Sequence, residues 1–535
     1  MQDINGPISQ TNSNIAQQLG ISAKYYWAIP ILAVLLMRLP YFGLQVMNSD
    51  EGLYASVARA MQRGGIPYRD AWDHAAPGIF YLYRAAFSVF GDWNMIAVRL
   101  LAFFAHAGSA VIIGLYFRKS HGDLIGAMAA TMIGVAIGAY LPSDVIAALT
   151  ETFMLPPLLY VAVMLLRWKD DNKVNIFLSG VLIAISIWFK IHALILVIGL
   201  LIGIIMARSL SQKSLMQDIF ICVKIMTIAY FGYLMLILPI LLRDGWESYL
   251  SMYIQYNIHY MQAGKYDEFF VIGFGKTLFQ WAAPNFILTT LAIYGYISLL
   301  RNSEYYARGV FLTSGLVASI LIGTAGARLF GHYFIPLFAL LGWGAVEGMV
   351  IILSKMKNKG LSGTRRNIVM SVIFLLTITF PLYYFHGFAY SSRMEMMQKG
   401  ISMGDKFPRL VSKIEEISST DDQIWVWGFA PEIYVSAKRD CANRFINCNY
   451  LVGLIPWVNV SPQIDTSSES VPNSWNLLKA DLRRNPPELI IDVSVANYQF
   501  WGRYQLSTRP ALDSFVKRNY SSIGLYDNFM LYKLK

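Results

Sequence analysis

The sequence predicts a polytopic α-helical membrane protein with about 11 transmembrane helices and a small C-terminal α/β domain. The chain has 535 residues, of which 56% are hydrophobic and only 14% are charged. A soluble domain of this length would carry roughly a quarter charged residues. Apolar runs of about 20 residues, enough to cross a bilayer, recur up to residue 390 and then stop. A large soluble core is therefore excluded for this part of the chain.

The apolar runs place the transmembrane helices in chain order. The predicted spans are 25–42, 94–117, 122–141, 144–166, 174–189, 191–207, 219–242, 282–300, 309–327, 333–353 and 367–387. They form a predicted transmembrane domain of residues 1–390 with external loops 43–93 and 243–281.

The remaining residues, 391–535, have the composition of an ordinary soluble protein and form the predicted α/β domain. Strands are predicted at 423–428 and 488–492, helices at 405–418, 474–484 and 510–519, and a hairpin at 521–534. Cys441 and Cys448 lie in this domain and are either a disulfide or two free thiols.

Basic residues collect in alternate loops between the predicted helices. These loops contain Arg118, Lys119, Arg167, Lys169, Lys173, Arg208, Lys213, Arg301, Arg308, Lys355, Lys357, Lys359, Arg365 and Arg366. The positive-inside rule places them, with the N-terminus, in the cytoplasm. An odd number of crossings then puts the C-terminal domain outside. The net charge of +11 suits contact with anionic membrane lipids, and no soluble basic face with interleaved aromatics indicates nucleic-acid binding.

Two adjacent carboxylates, Asp50 and Glu51, open the first external loop. Asn48 followed by Glu51 three residues later also fits a helix-capping box, and a cap and a catalytic role can coexist. An amphipathic stretch that includes Leu53, Tyr54 and Val57 follows. Its spacing predicts a helix that lies in the membrane interface.

Ionisable side chains interrupt the apolar runs at the outer ends of later predicted helices. They are Glu151, Lys190, His192, Arg328 and His332. Such residues at membrane depth are costly and usually face a cavity or one another. Taken singly, each also fits a snorkelling side chain or a structural ion pair. Together, the cations suit a phosphate and the carboxylates suit proton abstraction or metal binding, so a lipid that carries a phosphate and a transferable group fits both.

Four segments resemble motifs of the GT-C superfamily of membrane glycosyltransferases. They are Asp50-Glu-Gly-Leu-Tyr54, Trp72-Asp-His-Ala-Ala-Pro-Gly78, the stretch from Gly91 to Leu100, and His332-Tyr-Phe-Ile-Pro336. The branch that they resemble contains the protein O-mannosyltransferases and the bacterial aminoarabinose transferase of lipid A. The order of the motifs and the external C-terminal domain also resemble that branch, over most of the chain.

The resemblance implies transfer of a sugar from a polyprenyl-phosphate donor to an acceptor outside the cytoplasm. Asp50 would act as the general base on the acceptor hydroxyl, or orient it through a divalent metal, with Glu51 in support. Glu151 would hold an acceptor or a metal. Lys190, Arg328 and His332 would neutralise the charge that builds on the leaving phosphate in a single inverting displacement. The other side chains predicted to bind substrate are Tyr54, His74, His192 and Tyr333.

The resemblance also implies a multi-pass protein of a bacterial inner membrane, with the C-terminal domain in the periplasm. The acceptor would be a hydroxyl of a glycan, a lipid or a protein. One departure concerns Ala75-Ala76, which stand where the family pattern has Lys-Pro. The family lysine is associated with the phosphate of the donor, so the resemblance implies that this task falls here to Lys190, Arg328, His74 or His332, or is absent.

Two alternatives to a glycosyltransferase fit the same helices. One is a transporter or lipid flippase, which would show repeated halves and broken helices near the midplane. The other is an inactive scaffold of the same fold. The tyrosines of the loop 243–281 could stack on sugar rings, but an interfacial aromatic belt accounts for them more simply. They are Tyr249, Tyr253, Tyr256, Tyr260 and Tyr266.

Overall fold

The computed structural model describes residues 23–171, 173–210, 214–243, 245–262, 270–327, 329–387, 389–391, 406–453 and 465–535. Helices dominate the chain up to residue 391. Within the described ranges, the α-helices of six residues or more in this part are α1 Ala28–Arg38, α2 Ser49–Gln62, α3 Pro77–Phe90, α4 Met95–His121, α5 Asp123–Gly138, α6 Thr150–Asp171, α7 Ile176–Phe189, α8 Ala193–Ser209, α9 Leu215–Leu241, α10 Tyr256–Gln262, α11 Phe270–Ala282, α12 Phe286–Arg301, α13 Tyr306–Thr324, α14 Ile335–Asn358 and α15 Gly363–Leu382.

The predicted fold class is confirmed: the chain is a multi-pass helical membrane protein with a small C-terminal α/β domain. Six helical stretches among the described residues are long and apolar enough to cross a membrane, and a bent pair could form a seventh span. Four shorter apolar helices lie at Tyr25–Tyr41, Asp123–Gly138, Ile176–Phe189 and Ala193–Ser209. The count of 11 crossings and the domain boundary at residue 390 stay predictions.

The segment 243–281 is more regular than the predicted external loop. It contains α10 and α11, and α11 meets α12 at a bend of 104°. Pro284 lies at this bend, and a proline both lacks the N–H that a continuing helix needs and restricts the residue before it. The chain therefore turns sharply at the point where the sequence alone suggested the start of one straight helix.

The C-terminal domain is built on a five-stranded sheet. Its strands are β1 Gln423–Trp427, β2 Asp440–Cys441, β3 Leu489–Asp492, β4 Tyr520–Tyr526 and β5 Phe529–Leu534, in the order β2-β1-β3-β5-β4. Its helices of six residues or more, within the described ranges, are α16 Pro408–Ile417, α17 Glu432–Ala437, α18 Ser474–Arg484 and α19 Pro510–Asn519. β1 pairs in parallel with both β2 and β3, and the last two strands form the predicted hairpin.

The burial of each strand explains whether it could be predicted from the sequence. Ile424, Trp425, Val426 and Trp427 of β1 are all fully buried, so the strand has the continuous apolar run that is typical of a central parallel strand. β2 has only two residues and leaves no such run. Cys441 and Cys448 are free thiols, so the disulfide alternative does not apply in this structure.

Helix α2 is enclosed by protein, in contrast to its predicted place in the membrane interface. Its apolar side chains, Leu53 and Val57 among them, are buried. On the other side, α17 packs so closely that a Cβ on Gly52 would lie 2.9 Å from the backbone of Pro431. The C-terminal domain therefore packs directly on the helix that carries Asp50 in its first turn.

Ion pairs add to this contact between the two parts of the chain. The guanidinium of Arg59 in α2 lies 3.1 Å from the carboxylate of Asp440 in β2, and Arg63 pairs with the same carboxylate. Asp440 is buried, so its charge needs both partners. Cationic side chains of α2 thus hold the edge of the C-terminal sheet.

Asp440→Asn should lower the free energy of unfolding by about 2 kcal/mol, because it leaves two arginines without their shared counter-charge. The measurement is unfolding of the detergent-solubilised protein followed by tryptophan fluorescence. The matched control is Asp513→Asn, which removes the exposed Lys517–Asp513 pair of α19 and should cost less than about 0.5 kcal/mol. Equal unfolding transitions for the two variants would contradict this account of the contact.

Candidate functional site

A cavity of about 440 Å³ lies between the membrane helices and the C-terminal domain. Of the ten side chains predicted from the sequence, seven line it: Asp50, Tyr54, His74, Lys190, His192, His332 and Tyr333. The structure therefore brings together groups from the first external loop, the α7–α8 turn and the helical turn Gly331–Phe334 that precedes α14. Glu51 and Glu151 lie behind this lining, and Arg328 is outside the described residues.

The start of α2 fixes the position of Asp50. The side-chain oxygen of Asn48 accepts a hydrogen bond from the Asp50 N–H at 3.0 Å, as an N-cap does. The Glu51 carboxylate reaches back to the Met47 N–H at 2.8 Å, one residue further than in a standard capping box. The predicted cap is thus present, and it leaves the Asp50 carboxylate on the cavity side.

Burial raises the pKa of the Asp50 carboxyl, while the charges of His332 and Lys190 act in the opposite direction without cancelling it. A carboxylate with a raised pKa is a stronger base than an exposed one. Asp50 is therefore equipped to accept a proton from a group in the cavity.

Glu51 has a different environment from its neighbour. It is fully buried and forms an ion pair with Arg99 of α4, with 2.9 Å between Oε2 and Nη2. Ala148 also donates its N–H to Glu51 at 2.9 Å. Burial alone would raise the pKa of Glu51, but the charge and hydrogen bonds of Arg99 hold the pKa below its ordinary value. Glu51 thus acts as a structural anion that joins α2 to α4 and to the segment before α6.

Lys190 projects from the turn between α7 and α8. Its Nζ lies 2.9 Å from Oε1 of Glu151, which is in the first turn of α6. Thr150 donates a hydrogen bond to the other Glu151 oxygen at 2.8 Å. The ammonium also lies 4.6 Å from the centre of the Tyr333 ring, a cation–π distance. Glu151 therefore orients Lys190 towards the cavity, and a metal or acceptor ligand role for it stays a prediction.

His332 faces Asp144 across the cavity wall. Its Nδ1 lies 3.6 Å from Oδ1 of Asp144, which belongs to the short helical turn Pro142–Val145. A Cβ on Gly331 would lie 2.5 Å from the same carboxylate, so a larger residue at this position would displace the carboxylate. Asp144 was not among the residues predicted from the sequence, although a carboxylate two residues after Pro142, between two apolar runs, was a usable signal.

Aromatic rings also line the cavity. The His74 ring lies 4.7 Å from the ring of Tyr260, and its Nδ1 lies 3.3 Å from the Tyr450 hydroxyl of the C-terminal domain. Tyr54 is buried and packs edge-to-face on Tyr83 at 5.8 Å. His192 lies 5.7 Å from Tyr333, ring to ring.

The tyrosines of the segment 243–281 do not form the interfacial belt that the sequence suggested. Tyr249, Tyr253, Tyr256 and Tyr260 are buried, and the last three line the cavity. Tyr266 is outside the described residues. The π-helical stretch Tyr249–Gln255 and α10 carry these rings under the C-terminal domain, which explains their burial.

Asp73 is a further acidic group in the wall. Its Oδ1 accepts a hydrogen bond from the Ala75 N–H at 2.7 Å, and burial raises its pKa to about 7. Among the described residues, no group of three or more His, Cys, Asp or Glu side chains is placed to hold a metal ion. The acidic and basic side chains that line the cavity, among the described residues, are three aspartates, two lysines and three histidines: Asp50, Asp73, Asp144, Lys190, Lys406, His74, His192 and His332.

The chain is similar to known proteins in structure but not in sequence. No protein-family model and no curated protein sequence matches the chain. ArnT from Cupriavidus metallidurans, solved with bound undecaprenyl phosphate, is similar with a TM-score of 0.60 and 10% identity over 94% of this chain and 96% of that chain. The archaeal oligosaccharyltransferase AglB from Archaeoglobus fulgidus, solved with an inhibitory peptide and a dolichol-phosphate, has a TM-score of 0.53 and 13% identity over 96% of this chain and 74% of that chain. The predicted GT-C fold is confirmed.

The two neighbouring carboxylates should respond differently to amidation. Glu51→Gln should lower the free energy of unfolding by about 3 kcal/mol, because Arg99 stays buried without a counter-charge. Asp50→Asn should leave stability unchanged or raise it. When folding raises the pKa of a carboxyl, the protein loses stability as the pH rises and the buried group ionises. The uncharged amide of Asn avoids this loss at pH 7.5. Unfolding of both variants in detergent measures this, and equal losses would contradict the assignment.

Proposed function

We propose that this protein is a glycosyltransferase that moves a sugar from a polyprenyl-phosphate donor to a hydroxyl of an extracytoplasmic acceptor. One observation carries the proposal: Asp50, Lys190 and His332 line the same cavity. A carboxyl that can accept a proton and two groups that can carry positive charge are what transfer from a phosphate leaving group requires. The fold shared with ArnT and AglB supports the proposal.

The proposed reaction is a single displacement. The acceptor oxygen attacks the anomeric carbon while Asp50 takes its proton. The bond between that carbon and the phosphate oxygen breaks, and polyprenyl phosphate leaves with the bonding electron pair on that oxygen. Attack from the face opposite the leaving group inverts the configuration of the sugar.

Lys190 and His332 would stabilise the charge that builds on the leaving phosphate. Glu151 and Asp144 hold them, so the cations are in place before the substrate binds. Ala75, which stands where the family pattern has a lysine, also lines the cavity. Lys190 therefore takes over the role that the family pattern gives to that lysine.

Glu51 supports the reaction as a positioning residue. Its ion pair with Arg99 holds the first turn of α2, and Asp50 is the preceding residue in that turn. We assign the cavity to the periplasmic side of a bacterial inner membrane, because the basic loops lie at the opposite ends of the helices.

Asp50→Asn should abolish transfer in cells, with a fall of about 10²- to 10⁴-fold in rate, because the acceptor hydroxyl loses its base. The measurement compares envelope glycans and lipid-linked sugars of cells that carry either the wild type or the variant at matched expression. The variant should lose one sugar modification and accumulate a polyprenyl-phosphate sugar.

The matched control is Asp92→Asn. Asp92 is a carboxylate of the same external segment, it is exposed, and it pairs with Arg59 away from the cavity. This variant should keep the modification. If wild type, Asp50→Asn and a strain without the gene have the same glycans in every fraction, the proposed function is wrong and a transporter or an inactive scaffold takes its place.

A further inference from the structure

The C-terminal domain presents one edge of its sheet to the cavity. The parallel strands β2, β1 and β3 end at this edge, and each is followed by residues that line the cavity. Asn449 and Tyr450 follow β2, Phe429 follows β1 and Gln499 follows β3. In α/β sheets, ligands bind outside the carboxyl ends of parallel strands, where the connections leave in opposite directions. The domain thus offers its usual ligand-binding edge to the same space as Asp50.

Two buried oxygens at this edge have no hydrogen-bond partner among the described residues. They are Oδ1 of Asn449 and Oδ2 of Asp73, and the side chains are 3% and 2% exposed. Both residues line the cavity. A buried polar atom without a partner is costly, so a bound group that donates a hydrogen bond to it would be stabilised.

The chemistry of these oxygens limits that occupant. Amide and carboxylate oxygens accept hydrogen bonds, so they repel a phosphate and need a donor such as a hydroxyl. Burial raises the pKa of Asp73 to about 7, which suits an uncharged partner better than a cation. The rings of His74, Tyr256 and Tyr450 line the same wall and provide apolar faces. A sugar, with hydroxyls on its rim and C–H groups on its faces, matches both features.

We propose that Asn449 and Asp73 form a carbohydrate-binding subsite, in which their two oxygens accept hydrogen bonds from ring hydroxyls of a substrate sugar. The inference rests on the proposed function and deepens it. The phosphate occupies the side of Lys190 and His332, and the sugar occupies the side of the C-terminal domain. Asn449 is then a specificity-determining residue, because it distinguishes a lipid that carries a sugar from the bare lipid phosphate.

The test uses the full chain in detergent and measures binding of three sets of probes. The first is undecaprenyl phosphate alone. The second is a panel of undecaprenyl-phosphate-linked glucose, galactose, mannose, N-acetylglucosamine and arabinose. The third is the soluble methyl glycosides of the same sugars. Sugar preference is the affinity for the lipid-linked sugar that binds best, divided by the affinity for undecaprenyl phosphate.

Asn449→Leu should lower the sugar preference about tenfold and leave the affinity for undecaprenyl phosphate unchanged. Asp73→Asn is a second variant. It can keep the hydrogen bond from Ala75 and turns the unpartnered acceptor into an N–H donor, so it should shift the preference in the same direction. The matched control is Asn443→Leu, a buried asparagine of the same domain that lines a separate, smaller pocket. It should bind like the wild type.

Failure of the subsite and failure of the proposed function give different results in this test. If Asn449→Leu loses binding of methyl glycosides instead of lipid-linked sugars, the subsite stands and holds the acceptor. If neither class of sugar depends on Asn449, or if Asn443→Leu shows the same loss, the subsite is wrong although lipid binding remains. If the wild type binds none of the lipids, the proposed function itself fails.

Discussion

The buried ion pair between Glu51 and Arg99 is the interaction on which the site depends. Arg99 also donates hydrogen bonds to the carbonyls of Tyr41 and Gln45, and Glu51 accepts one from Ala148. Segments that are distant in sequence therefore meet at one pair of charges. Such a pair is tolerable in a protein interior only when its remaining hydrogen bonds are satisfied, as they are here. Because Glu51 is committed to this junction, the adjacent Asp50 is left free to face the cavity.

Pairing of buried charges also determines the arrangement of other ionisable groups in the cavity. Lys190 is paired with Glu151, and His332 with Asp144, so both of these potential cations have a carboxylate beside them. These pairs keep ionisable groups stable next to apolar helices and fix their positions before any ligand arrives. The C-terminal domain packs on α2 and supplies the remaining residues that line the cavity. The site thus belongs to both parts of the chain.

Site residues could be predicted from the sequence where their immediate neighbours in the chain make them unusual. Lys190 and His332 interrupt apolar runs, and Asp50 follows a capping residue, so each could be found without knowledge of its neighbours. The different roles of Asp50, which faces the cavity, and Glu51, which forms a buried ion pair, could not be predicted. They depend on Arg99, which lies 48 residues after Glu51. Asn449 was invisible for the same reason. Likewise β1 was predicted from its apolar run, whereas two-residue β2 exists only through its pairing with β1.

The most direct test of this account is an experimental structure of the protein with bound undecaprenyl phosphate. We expect the phosphate to lie in the cavity, with its oxygens about 3–4 Å from Lys190 Nζ or the His332 ring, and with Asp50 facing the same space. A phosphate bound at the basic loops on the opposite side of the membrane, or an empty cavity at saturating lipid, would contradict it.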